Sequence, residues 1–339
     1  MSETMRAMVV KAKSQEFTLE ERPVPTPGPG EAVVKVAACG VCHSDMFARE
    51  GVYPGVSFPV VPGHEVAGSV HSLGEGVQGW SEGQRVGVGW YGGACGWCRP
   101  CRMGALIACE NTQIPGVQRD GGYADYVLVP AAAMAAMPEE LAPELAAPLM
   151  CAGVTTYNGL RRTGARPGDL VAVLGVGGLG HLGVQYAAKM GFRVAAIARG
   201  TEKADLALGL GAHTYIDSTA TDPGEELAKL GGARVVLSTV TNGDAVASTI
   251  PGLGVDGELV VVGAAEQPIP VPAAALIPIN GSVAGHASGT AADSEDTLNF
   301  SALTGVEAQI ETMPLEQANE AYARMMAGDA RFRMVLTVG

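Results

Sequence analysis

The sequence predicts an α/β protein of two domains, one rich in β-strands and one built on a doubly wound parallel sheet. Three observations carry this. The chain has 339 residues, long enough for two hydrophobic cores. Its apolar pattern changes near residue 152, from short runs broken by glycine and proline to continuous apolar runs alternating with helical segments. A G-x-G-x-x-G loop, Gly175-Val176-Gly177-Gly178-Leu179-Gly180, stands between one such run and a helical pattern.

In the first domain Ala32–Val36, Gly68–Ser72 and Arg85–Gly89 show the short alternating runs of antiparallel strands. Pro23–Pro29 reads as a rigid extended connection. Residues 90–111 have few strand or helix signals and read as a lobe organised by its cysteines. Further on, Leu170–Leu174 is continuously apolar, as expected of a parallel strand covered on both faces. Helical spacing follows over His181–Met190, then a strand at Arg193–Ile197 and a helix over Glu202–Leu210. Strands at Thr214–Ile216, Arg234–Leu237 and Glu258–Val262, with a helix over Gly224–Leu230, extend these βαβ units towards a sheet of about six strands. The tail breaks the pattern, with a helix over Leu315–Met326 and a strand at Met334–Val338. It is assigned to the first domain, which therefore comprises 1–152 and 287–339 and leaves 153–286 as the parallel-sheet domain.

Lys and Arg number 22 against 35 Asp and Glu, a net charge of −13. That balance argues against nucleic acid and anionic membranes as partners. No stretch resembles a signal-peptide core or a membrane span, so a cytoplasmic chain with reduced thiols is expected.

The seven cysteines then point to metal. Cys95, Cys98, Cys101 and Cys109 follow C-x₂-C-x₂-C-x₇-C, a compact four-thiolate set suited to a closed structural zinc. Two disulfides and an iron–sulfur cluster are the competing readings of this spacing. Cys42, His64 and Cys151 form a dispersed set suited to an open catalytic zinc, giving two Zn²⁺ per chain. A zinc there would polarise a carbonyl and acidify a hydroxyl. Cys39 makes a C-x-x-C pair with Cys42, but in a β-rich setting it is a bystander to the redox reading.

The glycine loop predicts a Rossmann-type dinucleotide site at Gly175, Gly177, Gly178, Leu179 and Gly180. The tip of the second strand reads Ala198-Arg199-Gly200-Thr201-Glu202-Lys203, with no acid where one would bind a ribose 2′-hydroxyl. Arg199, with Lys203 beyond it, favours NADP over NAD because a guanidinium pairs bidentately with phosphate. An arginine lying over the adenine in an NAD enzyme is the alternative.

These residues resemble the zinc-containing medium-chain alcohol dehydrogenases over nearly the whole chain. Gly63-His64-Glu65-Val66-Ala67-Gly68, followed by Gly74 and Val77, resembles the family's zinc signature. Cys39-Gly40-Val41-Cys42-His43-Ser44-Asp45 resembles its first-ligand segment, and Met150-Cys151-Ala152-Gly153-Val154-Thr155 the segment of its third ligand. The resemblance implies a GroES-like catalytic domain beside the Rossmann domain, and reversible oxidation of an alcohol to an aldehyde or ketone with NAD(P). It also implies Glu65 and Asp45 as carboxylates that orient the ligands. Ser44 would hand the substrate proton outward, His43 and Arg333 would lie near the cofactor pyrophosphate, and Phe47, Trp90 and Tyr53 would line an apolar pocket. A homotetramer is implied as well. Phe47 stands where many members have a proton-passing histidine, so exit through the cofactor ribose, His43 and water, or a slower route, stays open. Two rival functions are an NADPH-dependent aldehyde or ketone reductase of the cinnamyl-alcohol type and a catalytically silent cofactor-binding protein on the same fold.

Overall fold

The computed structural model describes residues 3–264 and 267–339. The chain divides into two compact units, residues 1–154 with 289–339, and residues 155–288. Among the described residues no helix is long and apolar enough to cross a membrane.

The first unit is built around the strand Glu31–Val41 in a seven-stranded sheet. That strand pairs antiparallel with Val66–Leu73 along most of its length, with Tyr126–Pro130 at its start and with Arg333–Thr337 at its end. Arg85–Val88 and Met134–Ala136 extend one side, and Ile310–Pro314 closes the other in parallel with Arg333–Thr337. The sheet is thus mixed, where the alternating runs predict antiparallel pairing alone. The C-terminal strand belongs here because its Met334–Thr337 stretch lies in register with Ala38–Val41. Bulges between Val33 and Val34 and between Val36 and Ala38 bend the long central strand. Val34, Val36, Val66, Val86 and Leu336 from four of these strands are buried in one core.

The second unit is a six-stranded parallel sheet. Its order is Thr214–Asp217, Arg193–Ala198, Leu170–Leu174, Ala233–Ser238, Leu253–Val261 and Ser282–Gly285. All five residues of Leu170–Leu174 are buried, because neighbouring strands flank it and helices cover its faces. Burying each of its leucine and valine side chains contributes about 1.5–3 kcal/mol. Chain order reverses at this strand, so a crevice opens beyond its carboxyl end, where open α/β sheets bind ligands. The strand Ser282–Gly285 is the one of this sheet that the sequence did not locate: it has four residues, three of them small and none fully buried, so it lacks an apolar run. The helix Ala291–Thr304 was also unmarked, although Thr290 and Asp293 form a capping box at its start and Gly305 closes it at φ +70°.

Candidate active site

The topology of the first sheet brings distant residues to one end of three adjacent strands. Cys42 directly follows Glu31–Val41, His64 and Glu65 directly precede Val66–Leu73, and Arg333 begins the C-terminal strand. The Gly40 N–H donates to the Glu65 carbonyl at 2.9 Å, locking the first two segments together. A Cβ on Gly40 would lie 1.9 Å from Glu65 Oε2, so glycine there leaves space for the carboxylate. Cys151 arrives from the other direction, after a 3-10 turn over Ala147–Met150. That turn presses on the sheet at Gly87, where a Cβ would lie 2.4 Å from Met150 Sδ.

Cys42, His64 and Cys151 come together, with Glu65 beside them: one donor atom from each lies within 4.8 Å of all the others. Cys42, His64 and Glu65 are buried and Cys151 is half-buried. Asp45 sits behind this group at 0% exposure, its Oδ1 3.0 Å from His64 Nδ1. Its Oδ2 accepts from the Cys42 N–H at 2.8 Å and from the Tyr123 hydroxyl at 2.8 Å. A carboxylate surrounded by donors only accepts, so Nδ1 carries the imidazole proton and the Nε2 lone pair is left for the cluster. His64 Nε2 and Glu65 Oε2 are both buried and have no hydrogen-bond partner among the described residues. Two orphaned polar atoms beside two thiols form a donor set that could hold a transition metal, and the mixture of sulfur and imidazole fits zinc better than magnesium or calcium.

The charges of this group are shared. The Cys42 thiol is held well below its ordinary value by its hydrogen bond with Cys151 and, against the effect of burial, by His64 and Arg333. The Cys151 thiol is raised by that same bond and by burial. Burial pushes Glu65 up to about 7, with Arg333 pulling the other way. Arg333, expected near the cofactor phosphates, is buried, and its Nη2 donates to Glu65 Oε1. Its Nε has no partner. His43 is exposed and Ser44 half-buried on the short turn His43–Asp45. Phe47, Tyr53 and Trp90 form an aromatic triangle with centroids 5.4, 5.8 and 6.2 Å apart. Trp90 meets His64 edge-on at 5.1 Å.

The four-cysteine set also assembles. Its sulfurs all lie within 4.8 Å of one another, with contacts of 4.0 Å between Cys95 and Cys101 and between Cys98 and Cys109. A disulfide needs about 2.05 Å, whereas four sulfurs at 2.3 Å from a tetrahedral zinc lie about 3.8 Å apart. All seven cysteines are free thiols, which removes the disulfide reading. Burial raises the Cys95 thiol, but the N–H groups of Cys98 and Trp97 and the Asn111 side chain outweigh it and bring Cys95 to about 6. Burial and shared protons push Cys101 to about 12, so metal binding here releases protons. Arg99 and Arg102, between these ligands in sequence, are both exposed.

In the second unit a cavity of about 960 Å³ lies beyond the Leu174 end of the central strand. Gly175, Gly177, Gly178 and Leu179 line one side of it, Arg199 and Lys203 another. Gly175 has φ +94°, and a Cβ on Gly177 would meet nothing within 4 Å, so the second glycine faces open space. Gly180 performs the packing role: a Cβ there would lie 1.7 Å from the Gly175 carbonyl oxygen. Gly180→Ala is therefore expected to displace the loop and weaken dinucleotide binding at least tenfold, measured by quenching of protein fluorescence; binding within twofold of wild type would contradict this. The loop, the helix start behind it and the open space in front have the form of a cradle that could accept a pyrophosphate.

This constellation of a mixed sulfur–imidazole site, a four-thiolate lobe and a dinucleotide cradle defines a zinc-type dehydrogenase, and the chain belongs to the zinc-type medium-chain alcohol dehydrogenase family. Residues 28–139 match the alcohol dehydrogenase GroES-like domain, and residues 178–331 match the zinc-binding dehydrogenase family. The chain is 43% identical over 335 residues to the alcohol dehydrogenase patD of Penicillium expansum, covering 99% of this chain and 98% of that one. It is 38% identical over 337 residues to an alcohol dehydrogenase of Geobacillus stearothermophilus, covering 98% and 100%. Its fold is similar to that of a cinnamyl alcohol dehydrogenase from Sorghum bicolor, with a TM-score of 0.89, 32% identity, and 99% and 98% of the two chains covered.

Tyr123 and the Arg333–Glu65 contact were not found from sequence. Tyr123 lies far from Asp45 in sequence, and nothing in its spacing links the two.

Proposed function

We infer that the chain is an alcohol dehydrogenase that catalyses the reversible oxidation of an alcohol to an aldehyde or ketone with a nicotinamide dinucleotide. The single observation carrying this is the group of Cys42, His64, Glu65 and Cys151, the first three buried, with Nε2 of His64 and Oε2 of Glu65 unpartnered among the described residues, beside an aromatic wall. Cys42, His64 and Cys151 would hold the reacting zinc and Cys95, Cys98, Cys101 and Cys109 a structural one, two per chain. A bound zinc supplies Lewis acidity towards a hydroxyl or carbonyl oxygen, and a bound nicotinamide supplies the hydride acceptor or donor.

The chain's own residues do the rest. Asp45 keeps the proton on His64 Nδ1 and so aims Nε2 into the cluster. Arg333 offsets the charge of Glu65, which would otherwise be an isolated carboxylate among sulfurs. Phe47, Tyr53 and Trp90 exclude water and accept the apolar part of the substrate. The Ser44 hydroxyl takes the substrate proton and passes it outward; His43 is the exposed titratable group next to it in sequence. The first unit is the catalytic domain and the second the cofactor domain. We also read the protein as cytoplasmic, the compartment in which a clustered set of thiols stays reduced and available to metal, and as a homotetramer, on its family.

NADP is the preferred cofactor in this reading, supported by Arg199 and Lys203 on the cavity wall and by the absence of an acid at the strand tip. Steady-state oxidation of primary, secondary and aromatic alcohols with both cofactors, together with metal analysis, tests the whole assignment. Two zincs per chain and turnover of at least one alcohol class are expected; a metal-free, inactive protein would refute it. Arg199→Ala is expected to raise KM for NADPH roughly tenfold or more while leaving NADH kinetics within twofold, since a charged hydrogen bond contributes about 1.5–3 kcal/mol. Equal effects on both cofactors would reject the phosphate contact.

A further inference from the structure

We propose that Tyr123 is a positioning residue for the catalytic metal, acting on the ligand His64 through Asp45. The proposal rests on reading the Cys42, His64 and Cys151 group as a metal site. Tyr123 has 0% exposure, and its hydroxyl donates to Asp45 Oδ2 at 2.8 Å. The same oxygen accepts the Cys42 N–H at 2.8 Å, and the other carboxylate oxygen lies 3.0 Å from His64 Nδ1. Asp45 therefore touches two of the three expected ligands, and Tyr123 provides the donor that is not part of either ligand. Without it, Oδ2 keeps only the Cys42 N–H and the carboxylate can rotate away from His64.

Tyr123 is itself held from several directions. Its N–H donates to the Pro62 carbonyl at 2.9 Å, and the Gly122 N–H donates to the Gly63 carbonyl at 2.8 Å, so the segment that leads into Tyr126–Pro130 is laced to the turn that delivers His64. The ring packs over that turn so closely that a Cβ on Gly63, at φ +99°, would lie 2.4 Å from Tyr123 Cδ1. Behind it Phe17 packs edge-on at 5.8 Å, and Phe17 packs edge-on against Tyr322 at 5.4 Å. The Phe17 backbone is clamped on both sides by Asn319, N–H to Oδ1 and Nδ2 to O, each at 2.9 Å. An aromatic column thus runs from the C-terminal helix Ala318–Ala327 through Phe17 and Tyr123 to Asp45 and His64. A hydroxyl fixed at the end of such a column restrains the carboxylate, and through it the ligand, more tightly than a solvent-facing donor could.

The test is Tyr123→Phe in the zinc-loaded enzyme. The ring and its packing remain, so folding is retained and the thermal midpoint stays within a few degrees. Zinc release to a chromogenic chelator should show two phases in wild type, the Cys42–His64–Cys151 phase being the one missing from Cys42→Ala. In Y123F that phase is expected to be about tenfold faster, with the four-cysteine phase unchanged. After cobalt exchange the visible d–d bands of Y123F should shift from those of wild type. Because Tyr123 acts through Asp45, Y123F should add nothing in an Asp45→Asn background. Release within twofold of wild type with superimposable cobalt spectra, or additive effects in the double variant, overturns the proposal and leaves the metal site standing. A wild-type enzyme that loses no phase in Cys42→Ala overturns the metal reading and this inference together.

Discussion

Replacing His64 with Ala is expected to lower kcat by roughly 10³-fold or more, because Lewis-acid stabilisation contributes several kcal/mol and each 1.36 kcal/mol is tenfold in rate. Cys42→Ala should do the same. Both variants remove one of the three expected ligands, and the imidazole of His64 also satisfies Asp45 Oδ1. His64→Ala thus leaves a buried carboxylate oxygen without its donor, so a modest loss of stability accompanies the loss of turnover. Metal analysis supplies the control. Each variant should keep one zinc per chain, held by the four cysteines, and lose the other. Turnover near the wild-type rate from either variant would remove the catalytic assignment altogether.

The second large effect is expected in the lobe at residues 90–111. Cys98→Ala or Cys101→Ala should release the structural metal and unfold the lobe. Its secondary structure is slight, a four-residue helix over Arg99–Arg102 and a 3-10 turn over Leu106–Ala108. The three buried cysteines, with Ala94 and Cys95 packed against them, form a cluster of their own, so little apolar burial would hold the lobe closed without metal. Zinc binding in small metal-organised modules contributes folding free energy directly. A thermal midpoint lower by on the order of 10 °C and rapid proteolysis within the lobe are expected. Molecules that remain folded should retain most of their kcat, since the lobe ligands and Cys42, His64 and Cys151 form separate groups. An unchanged midpoint and intact lobe in Cys98→Ala would show that the metal is dispensable there.

The opposite characters of these two effects follow from where each site's residues come from. The four lobe cysteines are close in sequence, so their spacing suggests a metal and restricts the geometry. The catalytic ligands are spread over three segments, and as single residues each has an ordinary structural reading. Their combination was legible because a cofactor loop shares the chain with them, and the motifs around them, which resemble those of a family, add to that reading. The parallel sheet was legible for a simpler reason: a strand covered on both faces must be apolar throughout, and Leu170–Leu174 is. Ser282–Gly285 escaped notice because an edge strand with partly exposed residues carries no such run.

By itself the sequence determined the class of chemistry, through thiol spacing and the glycine loop, and the change from a β-rich domain to a doubly wound sheet, through hydrophobic periodicity. These are local properties, set by bond geometry and by which faces of an element meet water. Only the tertiary structure decided that Arg333 reaches Glu65, that Asp45 stands between His64 and Tyr123, and that Gly40 and Gly87 are small because a carboxylate and a methionine need their space. Those contacts join residues distant in the chain, and their geometry is fixed by strand register and close packing, which no periodicity along the sequence records.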